Sequence, residues 1–311
     1  MKVRPKPLVL KKYEILISRL KRNFPRFNEV TREYQKRKRG YEGEIQVDYH
    51  LAFLPQQFLI LRDICLHVSH RTFQMGNLIF SQNALFIVEV KNYQGTIIFD
   101  TILDQFTRDD GQMETGFNHP ISQTELQRYN LQQWLQERNF ATIPIYAFTA
   151  ISDPSTIIKV DGDKDKIAKV VAHGSSIPRK IMHFNKQLSA HDSLGDRKIG
   201  TMVQKESKEY DMDIMKRYDV KMSDLLPGVK CPACKFLGME RIYNKWQCRK
   251  CHHCSSNAHK QAIDDYMLFG NNWITNSICR WWLQINSKNT VTRLLKKSSL
   301  RYNAKRRRWE K

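Results

Sequence analysis

The clearest alternation of apolar and polar positions lies between Phe73 and Gly95, FQMGNLIFSQNALFIVEVKNYQG. It predicts two strands joined by a polar turn, Ser81-Gln82-Asn83-Ala84. In the second strand Leu85, Ile87, Glu89 and Lys91 fall on one face, and Phe86, Val88 and Val90 on the other. Phe58 to Val68 is rich in β-formers and predicts the strand before this hairpin; Gly95–Asp100 and Ile143–Ile151 predict two more. Residues 101–117 are polar and read as a loop or an exposed hairpin. A helix is expected over about Glu42–Leu54, with Glu44, Val47, Leu51 and Leu54 on one stripe. A second follows Asn118, with Ser122 as N-cap, Glu125 completing a capping box, and Leu131, Trp134 and Leu135 as the buried stripe. Gln123, Gln127 and Asn130 form a polar row on another face of it. Strands flanking a helix in this way imply an α/β core with a mixed sheet.

The flanks differ in character. Leu8–Leu20 holds a short helical pattern inside a basic, Pro-punctuated stretch. Residues 152–190 carry weaker strand and helix signals. Residues 191–229 are polar and read as a linker with a short helix near Glu206–Lys216. Helices are expected over His259–Phe269, stopped by Gly270, and over Asn276–Ile285. Ser287-Lys288-Asn289 then leads into TVTRLLKKSSL, an order similar to a helix-turn-helix, with RYNAKRRRW after it as a wing or arm. Arg293, Lys296, Lys297, Arg306, Arg307 and Arg308 are its candidate nucleic-acid contacts. The competing reading is a small helical packing module with a basic exit. The expected segments are therefore a basic arm and helix (1–39), the α/β domain (40–190), a linker (191–229), a cysteine-bearing module (230–256) and a basic helical tail (257–311).

Charge sharpens the picture. Of a net +21, residues 1–40 hold 14 Lys/Arg against 3 Glu, and residues 293–311 hold 9 against 1. Basic ends on a near-neutral body suit a polyanion, foremost DNA, although a solubilising surface would have the same composition and RNA the same attraction. At 41% apolar residues, 311 residues can build two or three cores. No run is long and apolar enough to span a bilayer, and no apolar stretch with a cleavage site follows the basic N-terminus, so neither a membrane anchor nor a signal peptide is expected.

Four of the seven cysteines form two CxxC pairs, Cys231/Cys234 and Cys248/Cys251, separated by 13 residues. That spacing predicts a zinc ribbon: each pair supplies one edge of a thiolate tetrahedron, and the residues between form a hairpin. Cys254 also stands at CxxC spacing from Cys251, which leaves a ligand swap open. Lys245, Trp246, Arg249 and Lys250 would give the ribbon charge and one aromatic. Thiolates on metal point to a reducing, cytoplasmic setting.

Glu89 and Lys91 end an apolar strand side by side, where unpaired charges are costly. On residue types alone an ion pair at the sheet edge accounts for them. Their surroundings, IVEVKNYQG after a hairpin and Gly43-Glu44 on the preceding helix, resemble the nuclease-related domain (NERD) family, a branch of the restriction-endonuclease-like PD-(D/E)xK fold. The resemblance covers roughly residues 40–150 and implies a bacterial, metal-dependent nuclease acting on DNA. It makes Glu89 a ligand of Mg²⁺ or Mn²⁺, with Glu44 as the second carboxylate. It gives Lys91 to the attacking water and, through an NPxxQ-like segment with one inserted residue (Asn118 to Gln123), Gln123 to the water or a phosphate. Where the family carries Asp, this chain has Gly76, followed by Asn77, a substitute ligand if a bulge turns it inward. That departure keeps a second function open: a non-catalytic DNA-binding or scaffolding protein on a degenerate nuclease fold.

Overall fold

The computed structural model describes residues 4–140, 143–188, 193–269 and 272–311. Gly270, the expected helix stop, lies outside them. In chain order the elements are α1 (Leu8–Arg19), α2 (Phe27–Leu51), β1 (Leu59–Val68), β2 (Arg71–Phe80), β3 (Leu85–Lys91), β4 (Thr96–Asp100), β5 (Gln105–Asp109), β6 (Glu114–Phe117), α3 (Pro120–Gln136), β7 (Ile145–Ile151) and β8 (Ile157–Asp161). There follow α4 (Lys164–Val170), β9 (Val171–His173), α5 (Ile177–Lys186), α6 (Ser193–Glu206), α7 (Ile214–Tyr218), β10 (Met239–Ile242), β11 (Lys245–Cys248) and β12 (Cys254–Ser255). The chain closes with α8 (Ala258–Leu268), β13 (Trp273–Ile274), α9 (Asn276–Leu283), α10 (Lys288–Lys296), β14 (Arg301–Asn303) and β15 (Arg308–Glu310). These divide into two compact units, Met1–Pro7 with Lys36–Tyr210, and Leu8–Gln35 with Asp211–Lys311.

The first unit is a mixed α/β fold. Its main sheet runs β1-β2-β3-β7-β9, antiparallel over the first three strands and parallel over the last three. The alternation read in β3 is realised: Leu85 and Ile87 pack with Leu131 and Trp134 of α3, while Phe86 and Val88 pack with Val47 and Leu51 of α2. A second sheet, β6-β5-β4-β8, carries the polar 101–117 segment as an exposed hairpin. α6 packs its Ile199 and Val203 on the α3 side of the main sheet.

Two helices begin earlier than the sequence patterns predict. α2 runs back to Phe27 because residues 27–39 hold Glu, Gln, Arg and Lys and neither Pro nor Gly, so charge hides a good helix-forming segment. α3 starts at Pro120 with His119 at its N-cap, and no side chain caps it. Proline fits the first helical position, so the Ser122–Glu125 capping box does not form.

β1 and β2 break their alternation together. Leu61 and Ile64 face the same cluster three residues apart, as do Met75 and Leu78 on the paired strand. An odd spacing on one face means a phase shift, and it falls at Asp63, which has φ 53°, and around Gly76.

The second unit has one core. Val9, Tyr13, Leu16 and Leu20, from α1 and the residue beyond it, share it with Met239 and Trp246 of the cysteine hairpin and with Ile263, Trp282, Leu295 and Trp309. α1 is thus a packed helix: Lys12 meets Asp211 at 2.5 Å, and Arg19 meets Asp265 at 3.2 Å and lies over Trp282. The C-terminal elements follow the order α8-β13-α9-α10-β14-β15, with a three-stranded sheet β13-β15-β14. No helix among the described residues is long and apolar enough to cross a membrane.

Candidate functional site

The end of β3 points at one face of α3. Lys91 Nζ lies 3.0 Å from Glu89 Oε1 and donates to Gln123 Oε1 at 2.7 Å, while Gln123 Nε2 donates to Glu89 Oε1 at 2.8 Å. Gln127, one helical turn on, donates from Nε2 to Glu89 Oε2 at 2.9 Å and to the Gln74 carbonyl at 2.9 Å. Spacing of four residues puts both glutamines over the strand end. Gln127 belonged to the polar row seen in the sequence; its role emerges only once that row is placed against β3.

Glu44 comes in from α2. Gly43 lets the helix approach: a β-carbon there would stand 2.6 Å from Ser152 Oγ and 2.8 Å from Asn92 Cβ. Asn92 holds the same helix by donating to the Arg39 carbonyl at 2.8 Å. The geometry at Gly76 joins the carboxylates. A β-carbon on Gly76 would lie 3.8 Å from Glu44 Oε1, 4.0 Å from Glu89 Oε2 and 3.5 Å from the Val88 carbonyl. Asn77 is fully buried and occupied elsewhere, its Oδ1 accepting from Arg4 Nη2 at 2.9 Å.

Arg4 is the residue the sequence did not disclose. Its buried guanidinium reaches Glu44 (3.3 Å), Asp48 (3.0 Å) and Asp63 (2.7 Å) and donates to the Gly76 carbonyl (3.2 Å). Arg62 adds a second cation on Asp48 at 2.8 Å. Burial pushes the Glu44 carboxyl up to about 7; Arg4 opposes this, while Asp63, Glu89 and Asp48 reinforce it. Burial likewise raises Asp63.

Residues 39–152 match the nuclease-related domain family, NERD. An uncharacterised protein of Bacillus anthracis is 24% identical over 123 residues, 39% of this chain; the chain spans 58% of that relative's length. No solved structure matches the chain.

The NERD segment therefore contains Glu44, Gly76, Asn77, Glu89, Lys91 and Gln123, and it brings Glu89, Lys91 and Gln123 into direct contact. Beside Gln123 and Gln127 lies an open cavity of about 560 Å³ that also takes in Arg71 and Gln74. The donor set suits a hard divalent cation sparingly: two carboxylates turn one oxygen each toward the Gly76 position, and water would complete the shell. Glu44, pushed up to about 7 by burial and then by its like-charged neighbours, is the group such a cation would relieve.

Outside the NERD segment, the Sγ atoms of Cys231, Cys234, Cys248 and Cys251 all lie within 4.8 Å of one another. Cys231 and Cys251 are 3.6 Å apart, and Cys234 and Cys248 3.5 Å. A tetrahedron with metal–sulfur bonds of about 2.3 Å has edges of roughly 3.8 Å, so the four thiols fit one tetrahedral ion. Cys254 is exposed and outside the cluster, its thiol turned to the His252 carbonyl at 3.7 Å. Trp246 is a correction to the sequence reading. It is buried, stacks on His259 and donates to it at 3.2 Å, whereas Tyr243 at the hairpin turn is 91% exposed. Arg293 and Lys296 lie exposed on α10 and Lys297 exposed just beyond its end, and Arg306 and Arg307 lie exposed in the β14–β15 turn. Arg308 is tied to Glu310 at 2.6 Å.

Proposed function

We propose that the NERD segment is a divalent-metal-dependent phosphodiesterase centre acting on DNA in the bacterial cytoplasm. The observation that carries this is the meeting of Glu89, Lys91 and Gln123, with Glu44 facing the same Gly76 position. Glu44 and Glu89 would hold Mg²⁺ or Mn²⁺, which supplies Lewis-acid polarisation of the phosphate and an acidified water. Lys91 has three ammonium protons; Glu89 and Gln123 accept two, and the third is left for the charge that grows on the phosphoryl oxygens. Gln123 fixes Lys91 and Glu89 together, and the cavity beside Gln127 gives room for the chain being cut.

The second unit is, on this reading, the DNA-holding part. A zinc ion would occupy the four-cysteine cluster as a structural centre. The order helix-strand-helix-helix-strand-strand is that of a winged helix-turn-helix, with α10 in the position of a recognition helix and Arg306 and Arg307 at the wing tip. A second reading, a DNA-binding scaffold on a silent nuclease fold, is favoured by Gly76 and by the guanidinium of Arg4 lodged among the carboxylates. Purified protein incubated with labelled single- and double-stranded DNA and RNA in Mg²⁺, Mn²⁺ or EDTA separates them. Metal-dependent cleavage lost in Glu89→Ala supports the enzyme; salt-sensitive binding without cleavage at any metal concentration supports the scaffold.

A further inference from the structure

The hairpin of the cysteine module and α10 face each other across a cavity of about 490 Å³, lined among others by Arg241, Tyr243, Asn244, Thr290, Arg293 and Lys297. Among the described residues, three cations and no carboxylate line it. This departs from the habit of the unit, where Lys12, Arg19, Arg249 and Arg308 each meet an acid: Asp211, Asp265, Glu240 and Glu310. Arg241 is the telling residue. Its guanidinium lies 5.4 Å from the Trp246 ring, and its Nη1 is buried with no hydrogen-bond partner among the described residues. Burial and the neighbouring Arg293 both weaken its hold on its proton, so two guanidinium groups confront each other across open space. A buried N–H without a partner and an uncompensated like-charge pair are both costly, and one anion between them removes both costs. Tyr243 stands at the rim, 91% exposed. An adjoining groove of about 860 Å³ shares Arg241 and Thr290 and leads along the turn before α10; its one acid, Glu240, is taken by Arg249.

We propose that Arg241, Arg293 and Lys297 form a seat for one backbone phosphate of a nucleic acid, and that Tyr243 packs against the neighbouring base. The inference rests on the DNA-holding role proposed for this unit and makes it specific. The ribbon hairpin and α10 act as one interface, and the exposed aromatic favours a strand whose bases are accessible.

The test uses the full chain, zinc-loaded, with fluorescent oligonucleotides of roughly 20 nucleotides, single-stranded and duplex, titrated from about 50 to 300 mM KCl. The triple variant Arg241→Gln/Arg293→Gln/Lys297→Gln should lose about tenfold in affinity and flatten the duplex salt slope by about 0.9, one phosphate's worth. Tyr243→Ala should weaken single-strand binding by about fivefold or more at an unchanged slope. The single variant Arg293→Gln should weaken binding, whereas Lys260→Gln, which also removes one charge but at an exposed position of α8 outside the cavity, should change neither affinity nor slope. If Arg241→Gln fails to fold, Arg293→Gln/Lys297→Gln carries the test, since both side chains are exposed. Wild type that binds while the triple variant matches it overturns the seat alone, as does a Lys260→Gln effect as large as that of Arg293→Gln. Wild type that binds no nucleic acid overturns the DNA-holding reading and the seat with it.

Discussion

Glu44 and Glu89 turn carboxylate oxygens toward one point, the place of the β-carbon that Gly76 lacks, at 3.8 and 4.0 Å. The nearest other atom is the Val88 carbonyl at 3.5 Å, an ordinary contact. A β-carbon can therefore be added without moving the sheet. Gly76→Asp should tighten Mg²⁺ or Mn²⁺ binding by about tenfold or more, because hard cations gain from each added carboxylate. It should also raise cleavage of labelled DNA. Without metal the variant should melt lower than wild type, and with metal it should gain more, since a tighter ligand stabilises the native state further. A folded Gly76→Asp protein with neither gain leaves the scaffold reading standing.

Lys91 contributes through one charge in one place. Lys91→Met keeps the aliphatic stem and removes the ammonium held by Glu89 and Gln123. Cleavage should fall by about 10²–10³, the usual cost of losing a transition-state donor, while binding by the second unit stays within about twofold. Steady-state cleavage and an anisotropy titration on the same preparation check both halves. Equal losses in the two assays would point to misfolding or to a binding role for Lys91.

Arg4 links Glu44, Asp48 and Asp63 over a sequence separation of 40 to 59 residues. Arg4→Met leaves three carboxylates clustered, with Arg62 still on Asp48. Removing one partner of a buried ionic cluster costs about 3–5 kcal/mol, so the first unit should unfold at clearly lower denaturant. Denaturant titration of Arg4→Met beside the double variant Arg4→Met/Asp63→Asn checks the cause: the second substitution should recover part of the loss. No recovery would mean that packing, not charge, sets the cost.

The two halves of the active-site reading differ in what a single strand can disclose. Glu89 and Lys91 share a face by strand alternation, and Gln123 and Gln127 share one by helical spacing; both periods survive packing. Arg4 has no period to join. Its role depends on a segment far from its partners in the chain, which residue pattern does not encode. The phase shift at Asp63 and Gly76 is likewise invisible, because an alternation broken in two paired strands at once resembles irregular polarity in each. In the second unit, the basic residues of α1 mimic a free arm, yet Lys12 and Arg19 are buried against Asp211 and Asp265. A hairpin with Trp246 and Tyr243 offers two aromatics, and only the packed structure decides which one is core.

The four-cysteine cluster should be inseparable from its surroundings. Cys231 and Cys248 are fully buried in the same core as Trp246, Ile263, Trp282 and Leu295. Metal analysis should find about one zinc per chain. Cys231→Ser or Cys248→Ser should release it and open to protease the whole second unit, beyond residues 231–254, because metal binding and folding are linked. Cleavage confined to the hairpin in the variants would show that the ribbon folds as a separate clip.

His259 makes the second unit acid-sensitive. It is 4% exposed, and its Nδ1 accepts the Trp246 Nε1 hydrogen at 3.2 Å, which only an unprotonated Nδ1 can do. Burial, with Arg241 and Lys260 adding like charge, lowers its pKa to about 4. An unfolded histidine titrates near 6.5, so its folded value is depressed and the unfolded chain binds the extra proton first. The stability His259 contributes is complete above about pH 6.5 and is lost as pH falls toward 4, amounting to about 2–3 kcal/mol across that window. Denaturant unfolding of the second unit, followed by tryptophan fluorescence from pH 7.5 down to about 4.5, should show this fall. Thiolate protonation and zinc release also act in this range, so the comparison is with His259→Gln at equal zinc occupancy. The glutamine keeps an acceptor for Trp246 and cannot take up a proton there; its pH slope should be shallower by roughly one proton between pH 5 and 6. Parallel slopes for the two proteins would assign the whole acid response to the cysteine centre.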